Sequence, residues 1–307
     1  MNNYTNVSPK TSKRVKNIMK ELGYKPNHMA RGLKTNKSYN IVFLIPDITN
    51  EFYTEIYKGI YAYALEKGYI VSLYEITGNS SLYESILNLR PDGIILGADM
   101  PHEILEKLKN LSIPVARIGG IENENFKMKI TIDLHQAMIA AIDYLNNIGH
   151  SDIAIITYRN DQDKRYNGYR DGLKKCGLDF NRNKIIYIDK GENHFDQGYF
   201  AMQEFFKKQV SITAVIGHND LVAIGAMKSI IESGLKIPED ISVIGFDDTK
   251  TAKYMSPSLT TIKIPKFNQG QKVAELLLNY LSGKKEKTTT MNTELLIRDS
   301  TKELGIS

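Results

Sequence analysis

The stretch Ile41-Val42-Phe43-Leu44-Ile45-Pro46-Asp47 decides the fold of this chain. Its first five residues are apolar without alternation, the pattern of a strand buried on both faces of a parallel sheet. A polar residue, Asp47, follows at the carboxyl end, the edge at which open α/β sheets hold their ligands. The pattern recurs along the chain. Further strand candidates are Ile70–Tyr74, Gly93–Leu96, Val115–Ile118, Ile130–Ile132, Ile153–Ile156, Ile185–Ile188, Ala214–Ile216, Val243–Phe246, Thr261–Ile264 and Glu294–Ile297. Helical spacing falls between them, over 52–67, 81–89, 101–110, 135–147, 165–175, 195–208, 220–233 and 267–281. Gly68, Gly149, Gly177 and Gly234 stand where several of these helices should stop. Strand and helix in alternation predict parallel sheets with helices on both faces. About eleven strands are too many for one sheet, so the α/β fold is expected as two doubly wound parallel-sheet lobes.

At 307 residues the chain is also long for a single hydrophobic core. Its 42% apolar and 24% charged residues are ordinary globular usage and exclude a disordered chain. No apolar run is long enough to span a bilayer, and the polar start Met1-Asn2-Asn3-Tyr4-Thr5-Asn6 lacks a secretory core. A single cysteine, Cys176, excludes an intramolecular disulfide and fits a reducing cytoplasm. The expectation is a cytoplasmic protein with no membrane partner.

The net charge of +5 is unevenly spread. Residues 1–38 carry nine Lys and Arg against one acid, Glu21; the rest carries 31 against 34. A basic head on a slightly acidic body suits a polyanion, nucleic acid first among them. A solvated helix face followed by a lysine-rich linker is the other reading. The head holds one clear helix, capped by Ser8, with Pro9 at its first position and Val15, Ile18, Met19 and Leu22 on one face. After Pro26, Asn27 can cap a second helix too short to be stable alone. Thr35-Asn36-Lys37-Ser38 reads as a linker.

Several strand ends deliver polar side chains to one edge: Asp47, then Tyr158-Arg159, His218-Asn219-Asp220 and Asp247-Asp248. Arg, Asn and Asp suit a polyhydroxyl ligand, whose vicinal oxygens donate and accept. Phe52 and Tyr53 can stack on an apolar ring face. Taken singly, Asn219, Asp220, Asp247 and Asp248 could equally be helix caps or turn residues. Arg165 lies at a predicted helix start, where the macrodipole disfavours a cation, and so invites a functional role; the alternative is a solvated arginine. No nucleophile elbow, P-loop or zinc-protease motif is present, so no enzyme activity, cofactor or metal is expected. His28, His102 and His194 read as surface or loop residues.

Together these residues resemble the lactose-repressor (LacI/GalR) family of bacterial transcription regulators over nearly the whole chain. The match runs through Leu22-Gly23-Tyr24-Lys25-Pro26-Asn27 and Ala30-Arg31-Gly32-Leu33 in the head. In the body it includes Ile45-Pro46-Asp47 to Tyr53, Pro91-Asp92-Gly93, Gly149-His150-Ser151-Asp152, Arg165 to Tyr169 and Asn219-Asp220. Near the end it continues through Ile237-Pro238-Glu239-Asp240 to Asp248 and Leu259-Thr260-Thr261-Ile262. The resemblance implies periplasmic-binding-protein-like lobes and a small, partial α-helical DNA-binding head at 1–38. Core lobes are expected over 39–134 with 265–290 and over 135–264 with 291–307. It implies a hinge helix at about 27–34, with Leu33 as a minor-groove wedge and Asn27, Met29, Ala30 and Arg31 as its DNA-contacting neighbours. A short helix carrying an apolar wedge among cations suits a kinked minor groove. Effector contacts are implied at Asp47, Phe52 or Tyr53, Arg159, Arg165, Asn219 and Asp247. Asn193 stands where many members carry an aromatic platform.

The family's helix-turn-helix starts about twenty residues earlier than this chain, and Met1-Asn2-Asn3 matches the end of the recognition helix. Impaired operator binding by the chain as given is therefore expected. The implied function is a homodimeric repressor controlled by a small carbohydrate or sugar phosphate. The alternatives are a solute-binding protein, an α/β enzyme, or a regulator answering to a purine or a phosphoprotein.

Overall fold

The computed structural model describes residues 8–21, 37–76, 80–97, 106–108, 110, 112–119, 126, 128–160, 162–189, 194–284 and 288–304. The expected DNA contacts at Asn27, Met29, Ala30, Arg31 and Leu33, and the expected effector contact at Asn193, lie outside these residues. Of the head, helix α1 (Pro9–Glu21) is described. Ser8 starts it as its cap, its Oγ accepting the Thr11 amide at 3.2 Å, while Pro9 opens the helix without a donor to satisfy. Val15 and Ile18 on its apolar face stay exposed.

Two six-stranded sheets follow. The first is built from β1 (Asn40–Ile45), β2 (Ile70–Glu75), β3 (Gly93–Leu96), β4 (Val115–Ile118), β5 (Met128–Ile132) and β11 (Thr289–Met291). Their spatial order is β11-β5-β4-β3-β1-β2. The second is built from β6 (Ile153–Tyr158), β7 (Ile185–Ile188), β8 (Ala214–Ile216), β9 (Ser242–Asp247), β10 (Thr260–Lys263) and β12 (Glu294–Leu296), in the order β12-β10-β9-β8-β6-β7. Every pairing is parallel except β10 with β12, which is antiparallel. In both sheets the order reverses beside the first strand, which opens a crevice at the carboxyl ends.

The unbroken apolar runs are explained by burial on both sides. Along β1, Ile41, Phe43 and Ile45 enter one core cluster and Val42 and Leu44 the other. Along β6, Ala154 and Ile156 face one cluster while Ile153 and Ile155 face the opposite one. The covering helices of the first lobe include α2 (Glu51–Glu66), α3 (Ser80–Asn88) and, returning from the far end of the chain, α9 (Lys266–Leu281). Those of the second lobe are α4 (Leu134–Asn147), α5 (Lys164–Lys175), α6 (His194–Phe206), α7 (Asp220–Glu232) and the short α8 (Lys250–Tyr254). The fold is thus two doubly wound α/β lobes of the periplasmic-binding-protein type.

Two elements escape the sequence reading. β11 is polar, three residues long and at a sheet edge, held in part by a contact between the Thr131 and Thr290 hydroxyls at 2.9 Å. α8 is a single turn, capped by Thr249 and held from the other lobe. Glu51, at the start of α2, accepts the Lys250 amide at 2.8 Å and the Thr251 hydroxyl at 2.6 Å. Glu55, one turn further on, lies 3.7 Å from the Lys250 ammonium. These bonds tie the mouths of the two lobes together. Replacing Glu51 by alanine is expected to shift the lobes toward an open form, by about 1–2 kcal/mol for the lost bonds. Small-angle scattering should then show a larger radius of gyration; an unchanged radius would rule out Glu51 as a clasp.

Candidate functional site

Four elements of the second lobe aim their starts or ends at the first lobe, and each does so for a local reason. β6 ends on the buried Thr157 and half-buried Tyr158. Asp163 caps α5, accepting the amide of Arg165 at 2.7 Å, so the cation at the helix start has a carboxylate beside it. Asn219 caps α7, its Oδ1 accepting the Val222 amide at 2.9 Å. β9 ends in Asp247 and Asp248, two residues with positive φ of 113° and 54°. Backbone of this kind is strained outside glycine. It is held by Lys266, whose Nζ donates to the carbonyl oxygens of both Asp247 and Asp248, the latter at 2.9 Å. Lys266 opens α9, so the first lobe fixes the shape of this second-lobe corner.

From the first lobe come Asp47 and Tyr53. Asp47 closes the turn after β1 by accepting the Thr49 amide at 2.8 Å and hydroxyl at 2.6 Å. Tyr53, on the first turn of α2, sits under the electrostatic influence of Asp247, Arg165 and Tyr158 from the second lobe as well as of Asp47. The Arg165 guanidinium acts electrostatically on Tyr53, Tyr158, His194, His218 and Asp247, which gathers these side chains near one another where the two lobes meet. It lies over the Phe246 ring, 5.3 Å from the centroid. Its Nε is buried and meets no hydrogen-bond partner among the described residues.

Burial dominates the electrostatics. It pushes the Asp247 carboxyl above the usual carboxylate range, although Arg165 and Lys266 both pull it down. The Asp247 side chain accepts no hydrogen bond from any described residue. Burial also holds His218 well below the ordinary histidine value and lowers His194, so both imidazoles are neutral at pH 7. The Tyr53 and Tyr158 phenols are raised, again first by burial. Behind Asp247, the fully buried Asp220 accepts the Thr249 amide at 2.7 Å and the Thr261 hydroxyl at 2.5 Å. Burial and then the Asp247 charge raise its pKa too. These two folded-state carboxyls keep protons that the unfolded chain releases. Their contribution is therefore lost as pH rises from about 4, where unfolded carboxyls ionise. Asp247→Asn should gain stability relative to the parent chain between pH 4.5 and 7, by at most about 1.4 kcal/mol per pH unit. A difference that stays constant across denaturant melts at both pH values would contradict the upward shift.

The structure sorts the expected residues. Asp47, Tyr53, Arg165 and Asp247 come together. Asn219 joins them at second hand: its Oδ1 is used in capping and its Nδ2 contacts His194 Nδ1 at 2.5 Å, so it orients the histidine. Phe52 packs edge-on against Tyr53 at 5.1 Å and onto the first-lobe core, which makes it a support. Arg159 is exposed and stacks on Tyr187 at 4.4 Å, over a hollow of about 250 Å³ lined also by Tyr158, Asn160 and Tyr166. Asp248 is taken up by an ion pair with Arg298. His194 corrects the sequence reading: it starts α6 half-buried in the cleft, its Nε2 3.4 Å from the Tyr158 hydroxyl. Tyr158 and His218, named in the sequence among the polar strand ends but not among the implied effector contacts, also stand beside Arg165. Their rings meet edge-on at 4.6 Å, and the His218 Nδ1 is buried without a hydrogen-bond partner, 3.9 Å from the Asp163 carboxylate. Their position at the ends of β6 and β8 was the available signal.

With neutral imidazoles, one guanidinium and two carboxylates, this cluster has the donors and acceptors to bind hydroxyl groups from both sides and to join the lobes through them. Residues 142–301 match the family model of the periplasmic binding protein-like domain. The chain is 31% identical over 291 residues to catabolite control protein A of Priestia megaterium, covering 92% of this chain and 87% of that one. It is 32% identical over 309 residues to the transcriptional repressor CytR of Escherichia coli, covering 97% and 89%. Among solved structures it resembles a ribose-bound LacI family regulator from Enterococcus faecium, with 27% identity and a TM-score of 0.77 over 87% of this chain and 100% of the other. The regulator CelR in complex with cellobiose matches at 25% identity and a TM-score of 0.78 over 96% of this chain and 92% of that one.

Proposed function

This chain belongs to the LacI family of transcriptional regulators, and from that premise we propose that it is a repressor whose affinity for operator DNA is set by a small carbohydrate or sugar phosphate held between its lobes. The observation that carries the reading is the meeting of Asp47 and Tyr53 from one lobe with Arg165 and Asp247 from the other. A solute bonded to both sides favours the closed arrangement by its differential affinity for it. In a homodimer, a change in the angle between lobes alters the spacing of the two hinge segments. Asn27, Met29, Ala30, Arg31 and Leu33 are the proposed minor-groove contacts on those segments, and operator affinity follows by linkage. The reading places the protein in the cytoplasm with the DNA and assigns it no catalytic step.

The test is a melting-temperature screen of sugars and sugar phosphates, followed by DNA-binding measurements with and without the best hit. A ligand at a hundred times its Kd adds about 2.7 kcal/mol, so a genuine effector is easily detected. Light scattering should give a dimer. A stable monomer, or a hit that leaves DNA affinity unmoved, overturns the coupling.

A further inference from the structure

The segment 247–251, from the end of β9 into α8, is gripped from both lobes. Within its own lobe, Asp220 of α7 accepts the Thr249 amide at 2.7 Å, and Arg298 pairs with the Asp248 carboxylate. From the first lobe, Glu51 accepts the Lys250 amide, and the Lys266 ammonium donates to the carbonyl oxygens of Asp247 and Asp248. A lysine is a costly choice for that bond. Lys266 is almost wholly buried, and among the described residues its ammonium is bonded to backbone carbonyls and paired with no carboxylate. Taking an ammonium out of water without an ionised partner costs free energy, and core packing does not require it.

What the bonds fix is the aim of Asp247. The φ values of 113° at Asp247 and 54° at Asp248 are held only under restraint in residues with a side chain. The Asp247 carboxylate accepts no hydrogen bond from a described residue, so its direction follows from its backbone. Without Lys266 the two carbonyls lose their donor and the corner can relax, carrying the carboxylate away from its present place. Lys266 also acts through its charge. Among the described residues, the titratable groups whose charges couple to the Asp247 carboxyl are Arg165 of α5, Lys266 of α9, Asp220 of α7 and Tyr53 of α2. Arg165 and Lys266 favour its ionised, accepting form against the burial that opposes it.

We propose that Lys266 is a positioning residue of the effector site, holding Asp247 in its accepting geometry from across the crossover while its own ammonium stays on the backbone. This rests on the cleft being the effector site, as proposed above. The test titrates the whole chain with a panel of neutral pentoses, hexoses and disaccharides, and carries the tightest of them into Lys266→Met and Lys266→Arg. The methionine variant, similar in length and uncharged, should bind at least about tenfold more weakly. Its affinity should also fade at a higher pH than the parent's, because Asp247 has lost one of its two cations. The arginine variant keeps charge and donors and should stay within about threefold of the parent with the same pH profile. Amide exchange at Asp248 and Thr249 in the sugar-free chains should be faster with methionine. A lysine that merely stabilised the fold would lower the melting temperature and leave the pH profile in place. Parent-like affinity in Lys266→Met, or equal losses in both variants with an unmoved pH profile, overturns the proposal and leaves the effector reading standing. If no member of the panel binds the parent chain, the effector reading itself fails, and this proposal with it.

Discussion

Replacing Arg165 by alanine is expected to abolish measurable sugar binding while leaving the chain folded. The guanidinium rests on Phe246 and carries a buried Nε without a partner, so its removal deletes an unsatisfied donor rather than a bond. The α5 cap is untouched, because Asp163 accepts backbone amides. The melting temperature without ligand should therefore change little, the deleted unsatisfied donor offsetting the lost charge that favours ionised Asp247. Binding should suffer more. A hydrogen bond from a charged donor contributes about 1.5–3 kcal/mol, which is roughly a hundredfold in affinity at the upper end. The loss also removes the main cation acting on Asp247, driving that buried carboxyl further toward its protonated form and weakening the second anchor. Calorimetry with the best sugar from the screen reads the outcome directly. Unchanged affinity would remove Arg165 from the site.

The largest expected effect on stability lies at a residue that touches no ligand. Gly225 of α7 crosses Gly198 of α6 at the closest approach of the two helices. A Cβ on Gly225 would stand 2.0 Å from the Phe195 carbonyl oxygen, and one on Gly198 would stand 2.0 Å from that of Val222. These obstacles are backbone, so no change of rotamer relieves them and the helices must separate. Overpacking of this kind costs about 3 kcal/mol or more, a fall of roughly 5 °C in melting temperature for a chain of this size. Separation also breaks the contact between His194 on α6 and Asn219 at the start of α7, so sugar binding should fall with stability. Gly225→Val, compared with a control at Gly234, tests this. Gly234 has a φ of 83° and open space around it, and Gly234→Asn keeps a residue that tolerates that conformation. Equal melting temperatures for the two variants would show that the helix crossing can relax. The first lobe repeats the device, with Gly59 of α2 against Gly270 of α9.

The candidate site was legible where a residue's position follows from its place at a strand end. Asp47 and Asp247 follow apolar strands that could be read directly, and Arg165 stood out because it opposes the local helix field. The reading was least informative where one residue type serves two purposes. Asn219 looks the same in sequence whether it binds a ligand or caps a helix, and the structure makes it a cap that also orients His194. Arg159 sits beside Tyr158 in sequence, yet its side chain turns to Tyr187 on the neighbouring strand, 28 positions away. His194 gave no local signal, since nothing before a helix start reveals which cleft that start will face.

The order of apolar runs and helical stretches was sufficient for the two doubly wound lobes, because each strand buried on both faces must be apolar whatever its neighbours are. Strand and helix identity are near-local properties, set by periods of 2 and 3.6 residues. Which side chains gather where the lobes meet was decided by the tertiary structure alone. Glu51 reaches α8 across about two hundred positions of chain, and Lys266 shapes the corner at Asp247 only because α9 returns to the first lobe. Charge balance, burial and the occupancy of helix caps depend on those long-range meetings, and no local window of sequence contains them.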